Sequence, residues 1–468
     1  MIELNIPIMF LLALFVGACG TDGDDEKGSS RNPYENSTDD LSGMRERHRV
    51  RVLISHNKTN VFIVKRQRRG FEYELLQQYE KYLNKKLTRR QIRTDLVYIP
   101  VPFNHLFPGL LQGEGDIAAA GLTITPERLE QAVFTDPLLS GVDEIVVASR
   151  KVKGLDTVED LSGRKVFVLR GNSYVQHLRK LNARFRSEWK RPIKIMDTSE
   201  NLQTEDILEM VNAGIVDLSV ADRHIAEIWS TILTEMVLRH DVKVNAGGRI
   251  AWAVRDANPE LLRSLNAFIE KNKMGTFIGN VLFRRYYKDT RWIKNPLTER
   301  ERKKLDIFTL LFRKYSDRFG FDWRAIAAQA YQESGLDHGK RSSRGAIGIK
   351  QVLPTTAADP AVNIPNIRNL ENNIHAGVKY MSILREKYFS APEINPEDRT
   401  FFSLAAYNAG PTKVKKLRKR AKRMGLDPNR WFLNVERAAL QVIGQETVQY
   451  VANIHKYYVA YKLMEESL

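Results

Sequence analysis

The spacing of apolar and polar residues changes character along the chain. Residues 6–16 form one short apolar run, and residues 20–43 carry almost no apolar side chains. From residue 50 to residue 254, short apolar runs typical of strands alternate with amphipathic stretches typical of helices. Beyond Pro296 the strand signals stop, and helical periodicity continues to the end of the chain. The pattern predicts a leader, an α/β unit and an all-α unit.

The α/β unit is predicted to contain a sheet whose strands alternate with helices. The segment 116–120 is apolar enough to be a buried strand. The predicted strands are 50–55, 95–99, 116–120, 165–169 and 250–254, and the predicted helices are 70–83 and 107–111.

The all-α unit is predicted to open with two helices, at residues 300–319 and 323–334. Gly320 ends the first helix and Asp322 can cap the second. Gly335 follows at the position where helices favour a glycine in the left-handed conformation.

Glu333, near the end of the second helix, is the first candidate for chemistry. Together with Ile326 and Ala330 it follows the spacing of four and three residues that marks one helix face, so its carboxyl lies on the apolar stripe. A desolvated carboxyl has a raised pKa and can hold a proton near neutral pH, as a general acid must. From the residue alone, the alternative is a helix-end glutamate satisfied by neighbouring N–H groups.

Composition narrows the class of protein. The chain has 468 residues, with 43% hydrophobic and 28% charged residues, and its length suits roughly three domains. This mixture excludes disorder over most of the chain and excludes a multi-span membrane protein. Lys plus Arg number 73 against 56 for Asp plus Glu, and this excess of 17 favours a polyanionic partner, either nucleic acid or a bacterial envelope. A single cysteine cannot form an internal disulfide, no Cys/His cluster has zinc spacing, and neither a metal nor a cofactor is predicted.

The apolar run near the N-terminus is too short to span a bilayer, which takes about 20 residues, but it suits the core of a signal peptide. Val16-Gly17-Ala18-Cys19 then resembles the lipobox of bacterial lipoproteins, whose cysteine is acylated after cleavage. The resemblance implies a signal peptide at 1–18 and a lipid anchor at Cys19. Because Gly20 rather than Asp follows, it also implies an outer-membrane lipoprotein facing the periplasm. The alternative is a buried N-terminal helix with an incidental thiol.

Residues 19–45 are predicted to be a disordered tether. Their Asp, Glu, Ser, Gly and Asn side chains cannot bury enough apolar surface to offset the entropy of ordering the chain.

An ordered series of motifs in the α/β unit resembles the family-3 extracellular solute-binding proteins. The motifs are Gly70-Phe71-Glu72-Tyr73-Glu74-Leu75, Gly115-Asp116-Ile117-Ala118, Gly121-Leu122-Thr123-Ile124-Thr125-Pro126-Glu127-Arg128, Phe134-Thr135-Asp136-Pro137, Asp160-Leu161-Ser162-Gly163-Arg164-Lys165-Val166, Arg170-Gly171-Asn172-Ser173-Tyr174 and Val220-Ala221-Asp222. The resemblance implies a two-lobed α/β domain of the periplasmic-binding-protein type over residues 46–290. Its first lobe would comprise 46–147 plus 245–290, and its second lobe 148–244.

The same resemblance implies a regulatory ligand site. Arg128 would pair with a ligand α-carboxylate and Asp222 would take the α-amino group, with Thr123 and Ser173 as flanking hydrogen-bond donors. A guanidinium can bind a carboxylate through two parallel hydrogen bonds. From the residues alone, Arg128 could instead pair with a neighbouring glutamate, and Asp222 could be an ordinary helix cap. An amino acid, a wall peptide or a muropeptide would each fit as the ligand.

A second ordered series, starting at Glu333, resembles the catalytic domain of the soluble lytic transglycosylases (Slt), a helical fold like that of goose lysozyme. The series is Glu333-Ser334-Gly335, Gly345-Ala346-Ile347-Gly348-Ile349-Lys350-Gln351, Thr355-Thr356-Ala357, Asn372-Asn373-Ile374, Ala405-Ala406-Tyr407-Asn408-Ala409-Gly410 and Glu446-Thr447 with Tyr450-Val451. The resemblance implies that residues 291–468 cleave peptidoglycan between N-acetylmuramic acid and N-acetylglucosamine without water.

In the implied reaction Glu333 first protonates the leaving oxygen while the 2-acetamido group assists at C1. The same carboxylate then accepts a proton from the C6 hydroxyl, and a 1,6-anhydro sugar is left. The sequence is consistent with a single acid, because no second carboxylate beside Glu333 completes the usual glycosidase pair. Asp337 follows the helix-ending glycine and is predicted to be a solvated turn residue.

Four further residues are implied at the substrate site. Ser342 matches a position that hydrogen-bonds the substrate acetamido group or the catalytic carboxylate, and Gln351 can bond an acetamido group as donor and acceptor. Tyr407 and Asn408 lie in one turn, where the phenol can steady the carboxylate; a core aromatic is the alternative for Tyr407. Lys350 either meets a substrate carboxylate or points to solvent.

Residues 413–423 carry eight basic side chains and no acidic one. A solvated helix face explains them, and contact with anionic glycan or lipid is the alternative. Nucleic acid is disfavoured as a partner because of the export signal and because no aromatic residues interleave with the basic run. Three functions stay open: a ligand-regulated lytic transglycosylase, a lysozyme-like hydrolase that uses water, and a receptor with an inactive enzyme domain.

Overall fold

The computed structural model describes residues 36–55, 57–64, 67–85, 87–88, 92–288 and 299–466. Strands are confined to its α/β part: β1 (Arg49–Ile54), β2 (Phe62–Val64), β3 (Gln67–Arg69), β4 (Asp95–Pro100), β5 (Ile117–Thr123), β6 (Val133–Phe134), β7 (Leu139–Ser149), β8 (Lys165–Val168), β9 (Lys194–Asp197), β10 (Leu218–Asp222) and β11 (Met236–Val254). The α-helices of this part are α1 (Leu41–Glu46), α2 (Phe71–Leu83), α3 (Leu106–Leu111), α4 (Pro126–Leu129), α5 (Ser173–Ser187), α6 (Thr204–Asn212), α7 (Arg223–Ser230), α8 (Pro259–Asn272) and α9 (Phe277–Tyr287). The predicted signal peptide at 1–18 and the predicted lipidation site Cys19 lie outside the described residues.

Two long antiparallel strands, β7 and β11, run through both lobes of the α/β part. The strand order is β4-β1-β5-β11-β7-β10-β8-β9, with β6 also paired to β11 and with β2 and β3 in a separate hairpin. Leu139 pairs with Ile250 at the first-lobe end of β7, and Ser149 pairs with Met236 at the second-lobe end. The first lobe therefore holds β4, β1 and β5 and the second holds β10, β8 and β9, which confirms the two-lobed architecture predicted from the sequence.

The predicted elements are present with bounds that shift by at most three residues. The exception is the last strand, which was expected at 250–254 and is instead the end of the 19-residue strand β11. Its earlier residues were missed because most of them are half-buried or exposed with no regular alternation, and they include polar and glycine residues. An edge-like composition of this kind gives no strong strand signal.

The disordered tether predicted at residues 19–45 extends too far, because residues 36–46 are ordered and include helix α1. Asp40 accepts a hydrogen bond from the Leu41 N–H at the start of α1, and its carboxylate also accepts from the N–H groups of Glu260 and Leu261 at 2.8 and 3.0 Å. One acidic side chain thus caps α1 and α8 together. Met44 is fully buried beneath them, so this segment does bury apolar surface.

The C-terminal part is all-helical. It comprises α10 (Glu299–Phe319), α11 (Trp323–Ser334), α12 (Pro354–Ala358), α13 (Leu370–Tyr388), α14 (Pro396–Ala409), α15 (Pro411–Arg423), α16 (Glu436–Val442) and α17 (Gln445–Glu466). Helix α11 packs against both α10 and α17, and α14 packs against α13, α15 and α17. None of the described helices combines the length and apolar character needed to cross a bilayer.

The helical part contacts both lobes of the α/β part. Arg437 pairs with Glu114 of the first lobe at 3.1 Å. On the second lobe, His455 bonds Ser199 at 3.0 Å and Lys456 pairs with Glu209 at 3.3 Å. His455 and Lys456 belong to α17, so this helix lies between the second lobe and the rest of the helical part.

Candidate active site

Helix α11 fixes the position of Glu333. Asp322 caps its start by accepting a hydrogen bond from the Arg324 N–H at 2.9 Å. Gly335 ends it with φ +70°, a left-handed conformation in which glycine carries no Cβ penalty. Lys340 then donates to the Glu333 backbone carbonyl at 2.7 Å, satisfying one of the carbonyls left open at a helix C-terminus.

The pKa of the Glu333 carboxyl lies near neutrality. Burial raises its pKa to about 7, and this effect outweighs a hydrogen bond from Tyr450 and the positive charges of Lys350 and Lys340, which act in the opposite direction. The Tyr450 hydroxyl donates to Glu333 Oε1 at 2.6 Å. At pH 7 such a group is divided between its acid and base forms, so it can give a proton and take one back.

A buried chain of hydrogen bonds extends from Glu333 into the core. Tyr450, which donates to Glu333, itself accepts from Gln329 Nε2 at 3.1 Å, and Gln329 Oε1 accepts from Lys350 Nζ. Every bond in the chain is donated toward the carboxylate, from a cation at one end to an acid at the other. Bonds aligned in this way polarise one another and favour the ionised carboxylate.

The sequence suggested that Lys350 either points to solvent or meets a substrate carboxylate. The structure shows neither, because the side chain is turned into the protein interior. Its exposure is 0%, and burial lowers its pKa to about 7 even though the charge of Glu333 raises it. The loop that carries it is held by Asn373, which accepts from the Lys350 N–H at 2.9 Å and donates to the Ile347 carbonyl at 2.8 Å. The loop conformation therefore turns this side chain inward.

The other predicted substrate residues surround this centre with different partners. The Tyr407 hydroxyl donates to the Lys350 carbonyl at 2.8 Å, so it is Tyr450, and not Tyr407 as expected, that steadies the carboxylate. Ser342 accepts from the Ala346 N–H at 2.9 Å and is not bonded to Glu333. Asn408 accepts from Thr447 at 2.7 Å.

Gln351 has the left-handed φ of +47°, which is uncommon for a residue with a side chain. Its Nε2 donates to the Gly348 carbonyl at 2.8 Å and to the Lys340 carbonyl at 3.2 Å. The side-chain oxygen of this half-buried residue remains available to accept a hydrogen bond. Strained backbone of this kind is often kept where a side chain must be held in one orientation.

Sequence reasoning singled out the segment of Tyr450 but not its role, and it missed Gln329. Gln329 lies four residues before Glu333, one helical turn away on the same face, and this spacing was the available signal. Asp337 behaves as expected of a turn residue, since it is exposed and accepts from the Gly339 N–H at 2.8 Å. The described residues include no group of three or more His, Cys, Asp or Glu side chains that could hold a metal.

In the α/β part, the four residues predicted to bind a regulatory ligand are all buried, and Asp222 lines a cavity between the lobes. Arg128 donates to the Thr123 carbonyl at 2.7 Å and, across the cleft, to the Gly171 carbonyl at 3.0 Å. Its guanidinium also lies over the ring of Phe107, 5.4 Å from the ring centre. It makes no salt bridge to a neighbouring glutamate, which was the alternative for this residue.

Ser173 and Asp222 lie on the second-lobe side of the cleft. Ser173 donates to Glu144 at 2.7 Å, and the other Glu144 oxygen bonds His177 at 2.6 Å. Asp222 stands at the N-cap position of α7 but its side chain makes no capping hydrogen bond, so the ordinary helix cap is not realised. Burial, reinforced by the charge of Glu144, raises the pKa of Asp222 well above its usual value.

The lobes are closed on each other. Ser55 donates to Gln203 at 3.2 Å and Thr59 donates to Glu205 at 2.6 Å, and each pair joins the first lobe to the second. Lys58 of the first lobe pairs with Asp206 at 2.8 Å and also with Glu209.

Comparison with known proteins assigns both parts of the chain. Residues 51–279 match the family of bacterial extracellular solute-binding proteins, family 3, and residues 310–428 match the transglycosylase SLT domain. A membrane-bound lytic murein transglycosylase F from Desulfosudis oleivorans is 30% identical over 444 residues, covering 91% of this chain and 92% of the relative. A protein of the same name from Stutzerimonas stutzeri is 28% identical over 440 residues, covering 90% of this chain and 86% of the relative.

Among solved structures, an ancestral arginine-binding protein bound to arginine is 22% identical, with a TM-score of 0.43, and covers 52% of this chain and 99% of its own. The two domain matches, in this order and over nearly the full length of the relatives, show that the chain belongs to the family of membrane-bound lytic murein transglycosylase F and is a transglycosylase enzyme of the lyase class.

Proposed function

We propose that this enzyme cleaves the β-1,4 bond between N-acetylmuramic acid and N-acetylglucosamine in peptidoglycan without water, leaving 1,6-anhydro-N-acetylmuramic acid ends during cell-wall turnover. The observation that carries the proposal is a single half-buried acid with a pKa of about 7, Glu333, held by Tyr450. The groups that shift its pKa are a phenol and two lysines, and none of them is a carboxylate that could serve as the second member of a glycosidase pair.

In the first step, protonated Glu333 donates its proton to the glycosidic oxygen, and the C1–O bond breaks as the 2-acetamido oxygen attacks C1. The carboxylate that remains is stabilised by the hydrogen bond from Tyr450 and by the charge of Lys350. In the second step, the C6 hydroxyl attacks C1 and displaces the acetamido group. Its proton passes to Glu333, so the acid is restored and no water is consumed.

Four residues near Glu333 are proposed to hold the sugar. Gln351 would accept a hydrogen bond from the N–H of an acetamido group, because its amide nitrogen is already bonded and its oxygen is not. Ser342 and Asn408 would contact the acetamido group or the ring hydroxyls. Tyr407, bonded to the Lys350 carbonyl, would form a wall of the site.

The relatives carry the words membrane-bound in their names. For this chain we propose a cleaved signal peptide at 1–18 and acylation of Cys19, with a short tether leading to the ordered segment at residue 36. The lipid chains would anchor the enzyme to the outer membrane, facing the peptidoglycan of the periplasm.

We further propose that a ligand of the solute-binding domain regulates glycan cleavage. Lys58, on the first lobe, and Lys456, on α17, share the carboxylates of Asp206 and Glu209. Helix α17 also carries Tyr450, which donates a hydrogen bond to Glu333. Opening of the lobes would therefore move a direct partner of the proposed catalytic acid. Regulation requires that the ligand bind the open and closed states with different affinities.

The experiment that tests the reaction is digestion of purified peptidoglycan, with the products resolved by mass spectrometry. The wild type is expected to give anhydro ends, and Glu333→Gln to lose essentially all of them while keeping its fold by circular dichroism. Glu436→Gln is the matched control, because burial also raises the pKa of Glu436 to about 7 but this residue lies outside the site.

Reducing ends in place of anhydro ends would show that water is the acceptor and that the enzyme is a lysozyme-like hydrolase. Anhydro ends produced by Glu333→Gln at the wild-type rate would remove Glu333 from the mechanism.

A further inference from the structure

A single tryptophan stands out from the surface of the second lobe. Trp189 follows helix α5, and at 97% exposure it is the most exposed large apolar side chain among the described residues. One exposed apolar residue is ordinary on a protein surface. At Trp189, however, the backbone and the surrounding charge are unusual as well.

The backbone of Trp189 has the left-handed φ of +57°. Its N–H donates to the Arg186 carbonyl at 3.2 Å, and the N–H of Lys190 donates to the Phe185 carbonyl at 2.8 Å. This pair of bonds is the Schellman ending of a helix. Its left-handed position favours glycine, because a Cβ there crowds the following carbonyl.

Three other helices of this chain end with the same pair of bonds and use glycine. Gly214 follows α6, Gly320 follows α10 and Gly425 follows α15, with φ of +66°, +65° and +75°. After α5 the same position carries a tryptophan, the largest side chain. The free protein therefore bears both the backbone strain and the exposure of the indole.

The surroundings of Trp189 are strongly basic. Residues 164–194 contain ten lysines and arginines and one acid, Glu188, which pairs with Lys190 at 2.7 Å. Four exposed cations have no ion pair within the part of the chain that the structure describes: Lys165, Arg186, Arg191 and Lys194. These four residues and Trp189 are called the Trp189 face.

The fold brings the members of the Trp189 face together. Lys165 and Lys194 are paired residues of the parallel strands β8 and β9, so their exposed side chains lie on the same side of the sheet. Arg191 lies beside the turn before β8, because its carbonyl accepts from the Ser162 hydroxyl at 2.9 Å. Like charges opposite each other on a sheet repel. Positive charge is thus concentrated at the edge of the sheet, where β9 is the last strand.

The segment between α5 and β9 is fixed in place. Asn182 of α5 donates to the Ile193 carbonyl at 2.9 Å and accepts from the Ile193 N–H at 2.6 Å, and both residues are buried. Lys190 lies over the ring of Phe185, 5.8 Å from the ring centre. Trp189 is therefore presented by an ordered turn, and a partner need not pay the entropy of ordering it.

We propose that the Trp189 face docks on the surface of a membrane that contains anionic phospholipids, with the indole at the level of the headgroups. Tryptophan is enriched at membrane interfaces, where its ring is buried and its N–H stays hydrated. The lysines and arginines around it gain from the negative potential of anionic lipids. Contact with the bilayer would bury the indole and reduce the repulsion between Lys165 and Lys194.

A glycan fits this face less well than a membrane does. Ligand sites for small molecules are concave, whereas Trp189 is almost fully exposed. The Trp189 face also contains no amide or carboxylate that could bond sugar hydroxyls. The inference does not depend on the proposed lipid anchor, because it rests on residues 164–194 alone.

The test is sedimentation of the protein with lipid vesicles. Residues 36–468 form one compact unit, so the chain from residue 20 onward is used, which lacks the proposed leader and lipid, and circular dichroism checks its fold. Vesicles of phosphatidylcholine alone are compared with vesicles that also contain phosphatidylglycerol. We expect at least about tenfold tighter binding to the anionic vesicles, weakened by salt, with a blue shift of tryptophan fluorescence.

Trp189→Gly separates docking from folding. Glycine relieves the left-handed strain, so the midpoint of urea unfolding should rise, while binding to anionic vesicles falls about fivefold or more. Unchanged vesicle binding would overturn the proposal. A lower unfolding midpoint would give Trp189 a role in the fold, and the argument from strain would fail.

The charge is tested by a triple variant, Lys165→Gln, Arg191→Gln and Lys194→Gln, which should bind anionic vesicles no better than neutral ones. The matched control changes the net charge equally on exposed lysines of α15, and its binding should be unchanged: Lys416→Gln, Lys419→Gln and Lys422→Gln.

Three further results would overturn the proposal. Equal binding to neutral and anionic vesicles would remove the anionic lipid. An equal loss in the α15 control would show that net charge, and not the Trp189 face, governs binding. Sedimentation with purified peptidoglycan but not with vesicles, measured on Glu333→Gln so that the polymer stays intact, would make the cell wall the partner instead.

Discussion

At the residue scale, the unexpected feature is a fully buried lysine, Lys350, that is linked to the proposed catalytic acid, Glu333, through Gln329 and Tyr450. Taking an ammonium group out of water costs several kcal/mol unless it is compensated. Here the compensation comes from an amide oxygen and from the nearby charge of Glu333. Two groups whose separate burial would be unfavourable therefore support each other's charged forms.

Replacing Lys350 by Met is expected to shift the pH dependence of cleavage. The charge of Lys350 lowers the pKa of Glu333, so its removal raises that pKa. Glu333 must be protonated to act as the acid, and activity is lost as pH rises through its pKa. The basic limb of the kcat/KM profile should therefore move to higher pH, by about one unit.

The control for this variant is Lys416→Met, which removes an exposed lysine of α15 and changes the net charge equally. A profile that drops in height at every pH without moving would mean that Lys350 supports only the fold of the loop.

Replacing Tyr450 by Phe is expected to reduce kcat about tenfold or more with little change in KM. The substitution removes the donor at 2.6 Å from the carboxylate, which matters once Glu333 has given up its proton. Tyr458→Phe is the matched control, because Tyr458 lies on the same helix and also bonds a carboxylate, that of Asp322 at 3.2 Å. A loss confined to KM, or one shared by the control, would contradict the assigned role.

Residue roles could be predicted from the sequence only where a local pattern determines the position of the side chain. Glu333 follows such a pattern, because helical spacing alone puts it on the apolar face. Lys350 does not, because the direction of a loop side chain depends on contacts such as those of Asn373, which lies 23 residues further along the chain. Tyr450 reaches Glu333 through the packing of α17 on α11, another contact that no local spacing encodes.

At the scale of elements, α13 closely approaches the loop that carries Lys350 at Gly377. A Cβ added there would lie 2.8 Å from Lys350 Cβ and 3.0 Å from its Cγ, closer than side chains pack. In a helix interior the same change would otherwise stabilise by about 1 kcal/mol. The two effects oppose each other, and the contact with a fully buried side chain should win.

Gly377→Ala is therefore expected to lower the free energy of unfolding by about 1 to 3 kcal/mol, as overpacking does, and to lower cleavage activity as Lys350 is displaced. Urea denaturation and the peptidoglycan assay measure the two effects. A rise in stability would mean that the loop yields easily and that helix propensity dominates.

The elements that alternating and helical patterns predicted are present, and the departures from their predicted bounds have physical causes. Residues 36–46 look like a tether because they contain few apolar residues, yet Asp40 orders them by capping two helix starts at once. A cap shared with a helix more than 200 residues away leaves no local trace in the sequence.

At the scale of the whole molecule, the helical part bridges the two lobes. It holds the first lobe through Arg437 and Glu114, and the second through Lys456 and Glu209. Replacing both Arg437 and Lys456 by Met is expected to separate the unfolding of the solute-binding domain from that of the catalytic domain. It should also lower the free energy of unfolding by about 3 kcal/mol, since carboxylates lose buried partners.

Differential scanning calorimetry measures this effect, with Arg313→Met as the control, because Arg313 pairs with Glu465 inside the helical part and is partly exposed. An unchanged single transition in the double variant would show that these contacts do not couple the domains.

Because the helical part is attached to both lobes, glycan binding and ligand binding would influence each other. Thermodynamic linkage is reciprocal. If ligand bound to the solute-binding domain raises the affinity for glycan by some factor, bound glycan raises the affinity for that ligand by the same factor. Peptidoglycan bound at the proposed active site would then change the ligand concentration to which the solute-binding domain responds. Peptidoglycan would thus influence how readily the ligand that regulates its own cleavage is bound.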